Sequence, residues 1–528
     1  MNESEKHKSL QWRNYALVLI SALLLAFAFP PYHLGFMAYF AFVPIFKLLD
    51  NFSPKSALKW GFLWGVVFHA ANLYWLVYIT GPGAIAAALF LAAYFALFAF
   101  LAALSRQGLG EKAVWAYPFL WVAVEWVKSL GILGFPWSTV GYTQTNYIRL
   151  IQFADVTGVF GVSFWILCLN VVWYRLFREW RSWRRSVLYL SLLLGLIFLP
   201  WLYGKLTLPP KDEFKEELRV GVIQGNIDPF EKWDEAFLAR NFSIYEKLTQ
   251  KAARDSSLDL IVWPETATAC YLRSRPDYLN RVRRLTDSLD VALLTGTPDY
   301  KFRGNGEYDA FNAIFLFVPH VKGIQYYYKM HLVPFGERVP FSEHFPILEK
   351  WFDALNTGAG AWTPGREYLL FELPGTYLQK KGLKLNRRVL KFAGIICYES
   401  IFQDQVRQLV KRGARFLTIV TNDAWFGRSA APFHHAQIAV FRAIENHVSV
   451  VRCANTGVSM LIDPYGRILG ETGIFERKIL VGSIPIHYRR TFFTKHGDVF
   501  AYFITGLAAL EFLWVLVTRR TERVQKSA

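Results

Sequence analysis

Three residues in this chain carry the functional groups of an acyl-transfer site, and each follows a strand-like apolar run. Cys397 follows Gly-Ile-Ile, Glu265 follows Leu-Ile-Val-Trp-Pro, and Lys329 lies in Tyr-Tyr-Tyr-Lys-Met-His-Leu-Val-Pro-Phe-Gly-Glu, after a run ending at Val318. A thiol attacks an acyl carbon only as the thiolate, and with an ordinary pKa of about 8.5 it needs a neighbouring base. Glu265 can take that proton. The tetrahedral intermediate then carries a negative oxygen, for which the Lys329 ammonium and the Tyr398 backbone N–H are candidate partners; electrostatic help of this kind is usually the largest catalytic contribution. Taken singly, each residue also has a plainer reading. Cys397 is then an inert buried thiol, Glu265 a helix cap and Lys329 a lysine whose stem packs on the surface. Their combination within longer local patterns favours chemistry.

The elements that must position these groups read as an α/β domain with mostly buried strands, because from Glu217 onward short apolar runs alternate with amphipathic stretches. The spacing predicts strands at 219–224, 258–263, 292–295, 312–318, 389–396, 416–421, 448–453 and 458–462. Helices are predicted at 235–252, 276–289, 403–412 (ended by Gly413) and 434–446. Folds of this class place chemistry just beyond the carboxyl ends of their strands, where Glu265 and Cys397 fall.

The rest of the chain requires a different solvent. Its 528 residues are 53% hydrophobic and 17% aromatic, and long uncharged stretches fill the first two hundred residues and return near the end. Seven spanning helices are predicted, at about 14–29, 35–49, 60–78, 84–104, 113–128, 159–177 and 187–203, with an eighth at about 499–518. The domains therefore read as 1–204, helices one to seven; 205–498, the catalytic domain; and 499–528, the last helix and tail.

Loop charges give an independent orientation, because Lys and Arg are retained on the cytoplasmic side. Lys6, Lys8 and Arg13 precede the first helix, Lys55 and Lys59 follow the second, Arg106 and Lys112 the fourth, and Arg178, Arg181, Arg184 and Arg185 the sixth. Arg519, Arg520, Arg523 and Lys526 follow the eighth, while the loops 30–34 and 79–83 have none. This pattern expects both termini in the cytoplasm and the catalytic domain on the far side. A cleaved signal peptide also fits a basic start followed by an apolar run, but no small-residue cleavage site follows it. His69, Asn72, Glu125 and Asn170 stand out inside the spans; without repeat symmetry they read as helix packing and hydrogen bonding rather than a transport path.

The net charge of +18 lies largely beside apolar stretches, where anionic lipid attracts it, and no groove-reading motif accompanies it, so nucleic acid is not an expected partner. The four cysteines, Cys168, Cys270, Cys397 and Cys453, form no CxxC or zinc-spaced pattern, and Cys270 and Cys453 are read as free thiols. No metal is expected: His434 and His435 are neighbours that point apart on a helix and read as cap or core residues.

Three stretches together resemble the Glu-Lys-Cys signature of the nitrilase superfamily: Trp263-Pro264-Glu265-Thr266, Lys329 with Leu-Val-Pro-Phe-Gly-Glu ending at Glu337, and Cys397-Tyr398-Glu399. The membrane-borne branch, the apolipoprotein N-acyltransferases, is similar over nearly the whole chain. It shares the flanking helices, Gln224-Gly225-Asn226 with Lys232-Trp233, Thr421-Asn422-Asp423-Ala424-Trp425-Phe426-Gly427, and the Gly134-Phe135-Pro136-Trp137 loop.

The resemblance implies a multi-pass helical membrane domain joined to a nitrilase-like α-β-β-α sandwich in a monomer of the bacterial inner membrane, with the catalytic domain periplasmic and no cofactor. It implies a ping-pong reaction in which Cys397 takes an acyl chain from a phospholipid, typically phosphatidylethanolamine, and passes it to the α-amine of a diacylglyceryl-cysteine apolipoprotein. By the same resemblance Glu265 is the base and Lys329 supports the oxyanion, Glu337 positions that lysine, and Tyr398 and Glu399 support the nucleophile. Trp233, Trp425 and Phe426 line a lipid entrance, with Trp137 grouped beside them, and Trp351 and Phe352 belong to an arm over it. Those aromatics read equally well as core. The sequence departs from the family after Arg442-Ala-Ile-Glu445, where His447-Val448-Ser449 replaces a Gly- and Pro-containing stretch, which bears on the local turn.

Two rivals use the same residues. A membrane-tethered amidase would release the thioester to water, although eight helices add little for small soluble amides. A transporter or scaffold with a dead catalytic domain would leave three motifs without use.

Overall fold

The computed structural model describes the chain apart from residues 1–2, 211–212, 305, 343, 345–361, 384–387, 488 and 528, and apart from the side chains of 3–4, 6–8 and 520–527. It forms two compact units, Met1–Leu208 with Asp498–Ala528, and Pro209–Gly497.

The first unit is helical. Among the described residues five helical stretches are long and apolar enough to cross a membrane: Ser9–Ala28, Gly81–Lys128, Ala154–Glu179, Trp183–Thr207 and Val499–Arg519, the second made of the helices Gly81–Leu109 and Tyr117–Lys128 joined by a 3-10 turn. The expectation of eight spans meets its clearest departure at 35–49. That stretch is apolar throughout, but it folds as a 3-10 turn at Gly35–Tyr39 and a short helix at Val43–Leu49. The break leaves backbone groups without helical partners, and Asn170 supplies them. Its Nδ2 donates to the Ala38 carbonyl at 2.7 Å and its Oδ1 accepts from the Phe42 N–H at 2.8 Å, while Nδ2 also donates to the Ile166 carbonyl of its own helix at 2.9 Å.

The stretch 60–78 likewise divides, into the helix Pro54–Asn72 and a 3-10 turn at Tyr74–Tyr78. Pro54–Asn72 packs on Gly81–Leu109 through small residues. A Cβ on Gly61 would lie 2.5 Å from that of Ala99, and one on Gly65 would lie 2.7 Å from the Ala92 Cα, so the two backbones meet where side chains are minimal. The other intramembrane polar residues also serve the fold. His69 Nδ1 bonds the Gly65 carbonyl, Asn72 donates to Ser138, and Glu125 accepts from the Val140 N–H. At one end, the predicted loops after the second, fourth and sixth helices meet on one carboxylate: Asp50 binds Arg106 at 3.0 Å and Arg178 at 3.1 Å.

The second unit holds two six-stranded sheets between helices. The strands are β1 Glu217–Gln224, β2 Leu260–Val262, β3 Ala292–Gly304, β4 Glu307–Phe317, β5 Gln325–Tyr328, β6 Phe371–Pro374, β7 Val389–Ile396, β8 Phe416–Thr421, β9 Ser449–Ala454, β10 Met460–Ile462, β11 Ile468–Glu471 and β12 Lys478–Pro485. One sheet has the order β12-β1-β2-β3-β4-β5 and the other β11-β10-β9-β8-β7-β6. The β1-β2-β3 and β7-β8-β9 pairings at the sheet centres are parallel.

Period-two alternation sorts the side chains. Val220, Val222, Leu260 and Val262 meet Phe392, Ile396, Val420 and Val451 in the core between the sheets, while Ile223, Ile261 and Trp263 face outward under the helices Glu235–Asp255 and Pro276–Leu289. The expected α-β-β-α sandwich is therefore present. The helix Ala431–Asn446 ends on His447 at φ 48°, so a histidine takes the left-handed cap position usually held by glycine.

Candidate active site

Glu265 leaves β2 through Trp263-Pro264, and its backbone is fixed by close approach to β3. A Cβ on Gly296 would sit 2.6 Å from the Glu265 Cα and 2.5 Å from the Thr266 nitrogen, so this strand position admits only glycine. The buried carboxylate is held at both oxygens. Oε1 accepts from Asn312 Nδ2 at 2.8 Å and Oε2 from the Asn422 backbone N–H at 2.9 Å.

Lys329 follows β5 and is 1% exposed. Its backbone N–H donates to the Asn312 carbonyl at 2.9 Å, tying it to β4. Its ammonium lies 2.8 Å from Glu337 Oε1 and 3.6 Å from Glu265 Oε1. Burial acts to lower this lysine, but the Glu337 and Glu265 carboxylates outweigh it and hold the ammonium above its ordinary range. Glu337 is steadied by the Val333 N–H at 2.8 Å, and Asn312 Nδ2 reaches it at 3.2 Å. Asn312 thus bridges two carboxylates that share one cation. A mid-strand asparagine inside Phe-Asn-Ala-Ile gave the sequence reading no signal beyond being polar in an apolar run.

Cys397 begins a 3-10 turn directly after β7 with φ 49°, a left-handed conformation uncommon for a side chain with a Cβ. The thiol is pushed above its ordinary value, first by burial and next by the charge of Glu265, against the opposing pull of Lys329. At neutral pH it rests as the thiol, and attack by its sulfur would need a base. Tyr398 is buried and packs edge-on to Phe402.

Glu399 is fully buried. It accepts from the Tyr327 hydroxyl at 2.8 Å, the Met330 N–H at 2.6 Å, the His331 N–H at 3.3 Å, Gln405 Nε2 at 2.8 Å and the Ile396 N–H at 2.8 Å. One carboxylate therefore ties the segment after Lys329 to the strand end before Cys397.

Lys232 is also buried. Its ammonium donates to the Glu265 carbonyl at 2.7 Å, and burial, only partly offset by the Glu265 charge, lowers it to about 8. Beside it the surface is aromatic: Phe230 is 82% exposed, Trp233 47% and Trp425 44%, with the Phe230 and Trp425 rings 6.1 Å apart. Phe426 is half-buried. Phe230 was missed in the sequence because nothing distinguishes it from core. Trp137 belongs to the helical unit, where it is 2% exposed and packs on Trp75 and Phe135. Trp351 and Phe352 lie outside the described residues.

Behind the thiol, Asp423, His435 and Arg452 are buried together. Asp423 Oδ1 lies 2.9 Å from His435 Nδ1 and 3.0 Å from the Thr421 hydroxyl, and Oδ2 lies 2.7 Å from Arg452. Burial acts to raise Asp423, but Arg452 and His435 outweigh it and keep the carboxyl below its usual range. Cys397, Asp423 and His435 bring three metal-capable atoms within 4.8 Å of one another. Both Asp423 oxygens are already engaged by these donors, which is a hydrogen-bond network rather than an open ligand set.

Residues 21–172 match the model of the apolipoprotein N-acyltransferase N-terminal domain, and residues 219–492 match that of the carbon-nitrogen hydrolases. The chain is 35% identical over 514 residues to an apolipoprotein N-acyltransferase of Geobacter metallireducens, covering 94% of each chain. It is 36% identical over 531 residues to one of Chlorobaculum tepidum, covering 96% of this chain and 97% of that one. Among solved structures, Saccharomyces cerevisiae Nit3, a member of branch 10 of the nitrilase superfamily, aligns at a TM-score of 0.37 and 16% identity over 52% of this chain and 93% of its own.

Proposed function

The chain belongs to the apolipoprotein N-acyltransferase family, and from that premise we propose that it moves an acyl chain from a phospholipid, through a thioester on Cys397, to the N-terminal amine of a diacylglyceryl-cysteine lipoprotein. It is a membrane protein and an acyltransferase of the carbon-nitrogen hydrolase superfamily. The observation that carries the mechanism is the buried Lys329 ammonium, 3.6 Å from Glu265 and 2.8 Å from Glu337, in a site whose thiol is protonated at rest.

In the first half-reaction Glu265 takes the thiol proton as sulfur attacks the ester carbonyl of the donor. The oxyanion forms against Lys329 and the Tyr398 N–H. On collapse the carbon–oxygen bond breaks, and the glycerol oxygen leaves with the proton returned by Glu265 as a lysophospholipid. In the second half-reaction the lipoprotein's neutral α-amine attacks the thioester and gives a proton to Glu265. The Cys397 sulfur leaves and regains that proton, so one ester has become one amide. Trp233, Phe230 and Trp425 are assigned to the surface that meets the acyl chains. Loop charges support a catalytic unit on the periplasmic face, with phosphatidylethanolamine, the expected donor, in the adjacent bilayer.

The test is to incubate the purified protein with isotope-labelled phospholipid and examine Cys397 by mass spectrometry. A labelled acyl adduct that a diacylated lipopeptide discharges, and that Cys397→Ala never forms, is expected. No adduct would overturn the mechanism, and discharge by water at the same rate as by lipopeptide would make the protein a hydrolase.

A further inference from the structure

The network behind the thiol ends on the nucleophile's own backbone. The Ser400 hydroxyl lies 2.9 Å from the Cys397 carbonyl and 2.9 Å from His435 Nε2, and Nε2 itself lies 3.1 Å from that carbonyl oxygen. A carboxylate only accepts, so the contact with Asp423 fixes the imidazole proton on Nδ1. Nε2 is left as an acceptor, so its 3.1 Å approach to the Cys397 carbonyl is no hydrogen bond of its own, and the single Ser400 proton lies between the two acceptors and holds them together. On the far side of Asp423 stands Arg452, 0% exposed like Asp423 itself. Gly457 seals the carboxylate in place, since a Cβ there would sit 2.2 Å from Oδ2. Burial and the Arg452 charge both act to keep the imidazole neutral, against the pull of Asp423.

We propose that His435 is a positioning residue for the transfer reaction: held by Asp423 and Arg452, it fixes the Cys397 carbonyl through Ser400 and so holds the nucleophile at φ 49°. A non-glycine residue keeps a left-handed conformation only where its surroundings over-determine it. Here the over-determination comes from both sides. Glu399 accepts the Ile396 N–H before the cysteine, and the Ser400–His435 pair grips the carbonyl after it. That carbonyl shares a rigid peptide plane with the Tyr398 N–H, so releasing it turns the oxyanion donor as well as the thiol.

The inference rests on Cys397 being the acylated nucleophile, and its test separates the two. Full-length protein in detergent is compared as parent, His435→Ala, His435→Gln, Ser400→Ala and the double variant His435→Ala/Ser400→Ala. Three quantities are measured: thioester formation from labelled phospholipid, alkylation of Cys397 by iodoacetamide, and the melting temperature.

His435→Ala is expected to slow acylation about 100-fold with KM within about threefold, the scale of a misplaced reacting group. His435→Gln, whose amide reaches the place of Nε2, recovers about tenfold of that loss. The double variant is no slower than the worse single one, because both act on one carbonyl. Alkylation follows the same order. His435→Ala within about threefold of the parent, or a double variant that loses the product of the single effects, overturns the proposal. So does a His435→Gln protein as slow as His435→Ala with the same fall in melting temperature, since the histidine would then only stabilise the fold. If the parent forms no phospholipid adduct, the proposed function fails, and the alkylation series alone decides the positioning role.

Discussion

Asn312→Asp is an isosteric change that separates hydrogen bonding from charge in the proposed catalytic cluster. The asparagine Nδ2 donates to Glu265 at 2.8 Å and to Glu337 at 3.2 Å, beside one ammonium. A hydrogen bond to a charged group contributes about 1.5–3 kcal/mol, so truncation to Asn312→Ala removes roughly 2 kcal/mol of orientation from Glu265, about 30-fold in rate. The aspartate variant goes further by adding a third carboxylate. At about 4 Å and an effective dielectric of about 20, its repulsion from one neighbour is about 4 kcal/mol. That raises the introduced carboxyl by about three units from about 3.9, to near 7. Above pH 7 it is ionised and competes for Lys329, and the repulsion of about 4 kcal/mol alone corresponds to a loss of about 10³-fold. Near pH 6 it is protonated, and its O–H can donate to Glu265 as the amide did. Single-turnover thioester formation on Cys397, followed by mass spectrometry from pH 6 to 8.5, is the assay. Asn312→Asp should be slower than Asn312→Ala at pH 8 and faster at pH 6. An aspartate variant within about threefold of the parent at pH 8, or one with no crossing against alanine, would refute the reasoning.

Cys397 should be alkylated by iodoacetamide with a rate that climbs about tenfold per pH unit from 7 to 9, because its raised thiol ionises in that proportion; a plateau below pH 8 would reveal a preformed thiolate. Lys232, held at about 8 against an ordinary 10.5, leaves the unfolded chain with the extra proton between those values. Parent stability should therefore rise with pH from 8 to 10.5, by roughly 3 kcal/mol at most, and Lys232→Met should abolish that rise in detergent melting curves. Glu399→Gln keeps one acceptor oxygen for the four donors on Oε1 but sets an amide N–H against the Ile396 N–H, and should lower melting temperature and activity together, by about 2–3 kcal/mol in stability. Phe230→Ser with Trp425→Ser should raise KM for long-chain phospholipid at least about fivefold while leaving iodoacetamide alkylation of Cys397 unchanged.

The sequence exposed the parts of the site that lie at strand ends and hid those inside elements. Singly, Cys397 also reads as a buried thiol and Glu265 as a cap, and the two became legible only in combination with Lys329 within three local motifs. Strands 389–396 and 416–421 match β7 and β8 residue for residue, since both are continuous apolar runs with clear stops. β3 was cut short at Thr295 because Gly-Thr-Pro-Asp follows; the strand continues to Gly304 since its pairing with β4, not its own composition, holds it. β5, β6, β11 and β12 were not foreseen, being short or partly exposed strands at or near the sheet margins.

In the helical unit hydropathy could not distinguish a span from a buried, broken stretch, because 35–49 is equally apolar either way and only Asn170, 121 residues beyond Leu49, reveals the break. His435 read as a cap or core residue for the same reason. The positioning role proposed for it depends on Asp423, Ser400 and Arg452, which no local pattern joins to it.

The arrangement of one ammonium between two carboxylates also explains why Glu337 cannot be merged with Glu265. At rest Lys329, Glu265 and Glu337 together carry one net negative charge. In the proposed mechanism Glu265 takes the thiol proton and that charge moves to sulfur and then to the substrate oxygen, but its amount does not change, so the surroundings need little reorganisation. At that moment Glu265 is neutral and its attraction for Lys329 is lost. Glu337, the nearer partner at 2.8 Å against 3.6 Å, still holds the ammonium charged and in place. A single carboxylate would have to let go of the lysine at the step where the oxyanion needs it; two allow one to change protonation while the other keeps position.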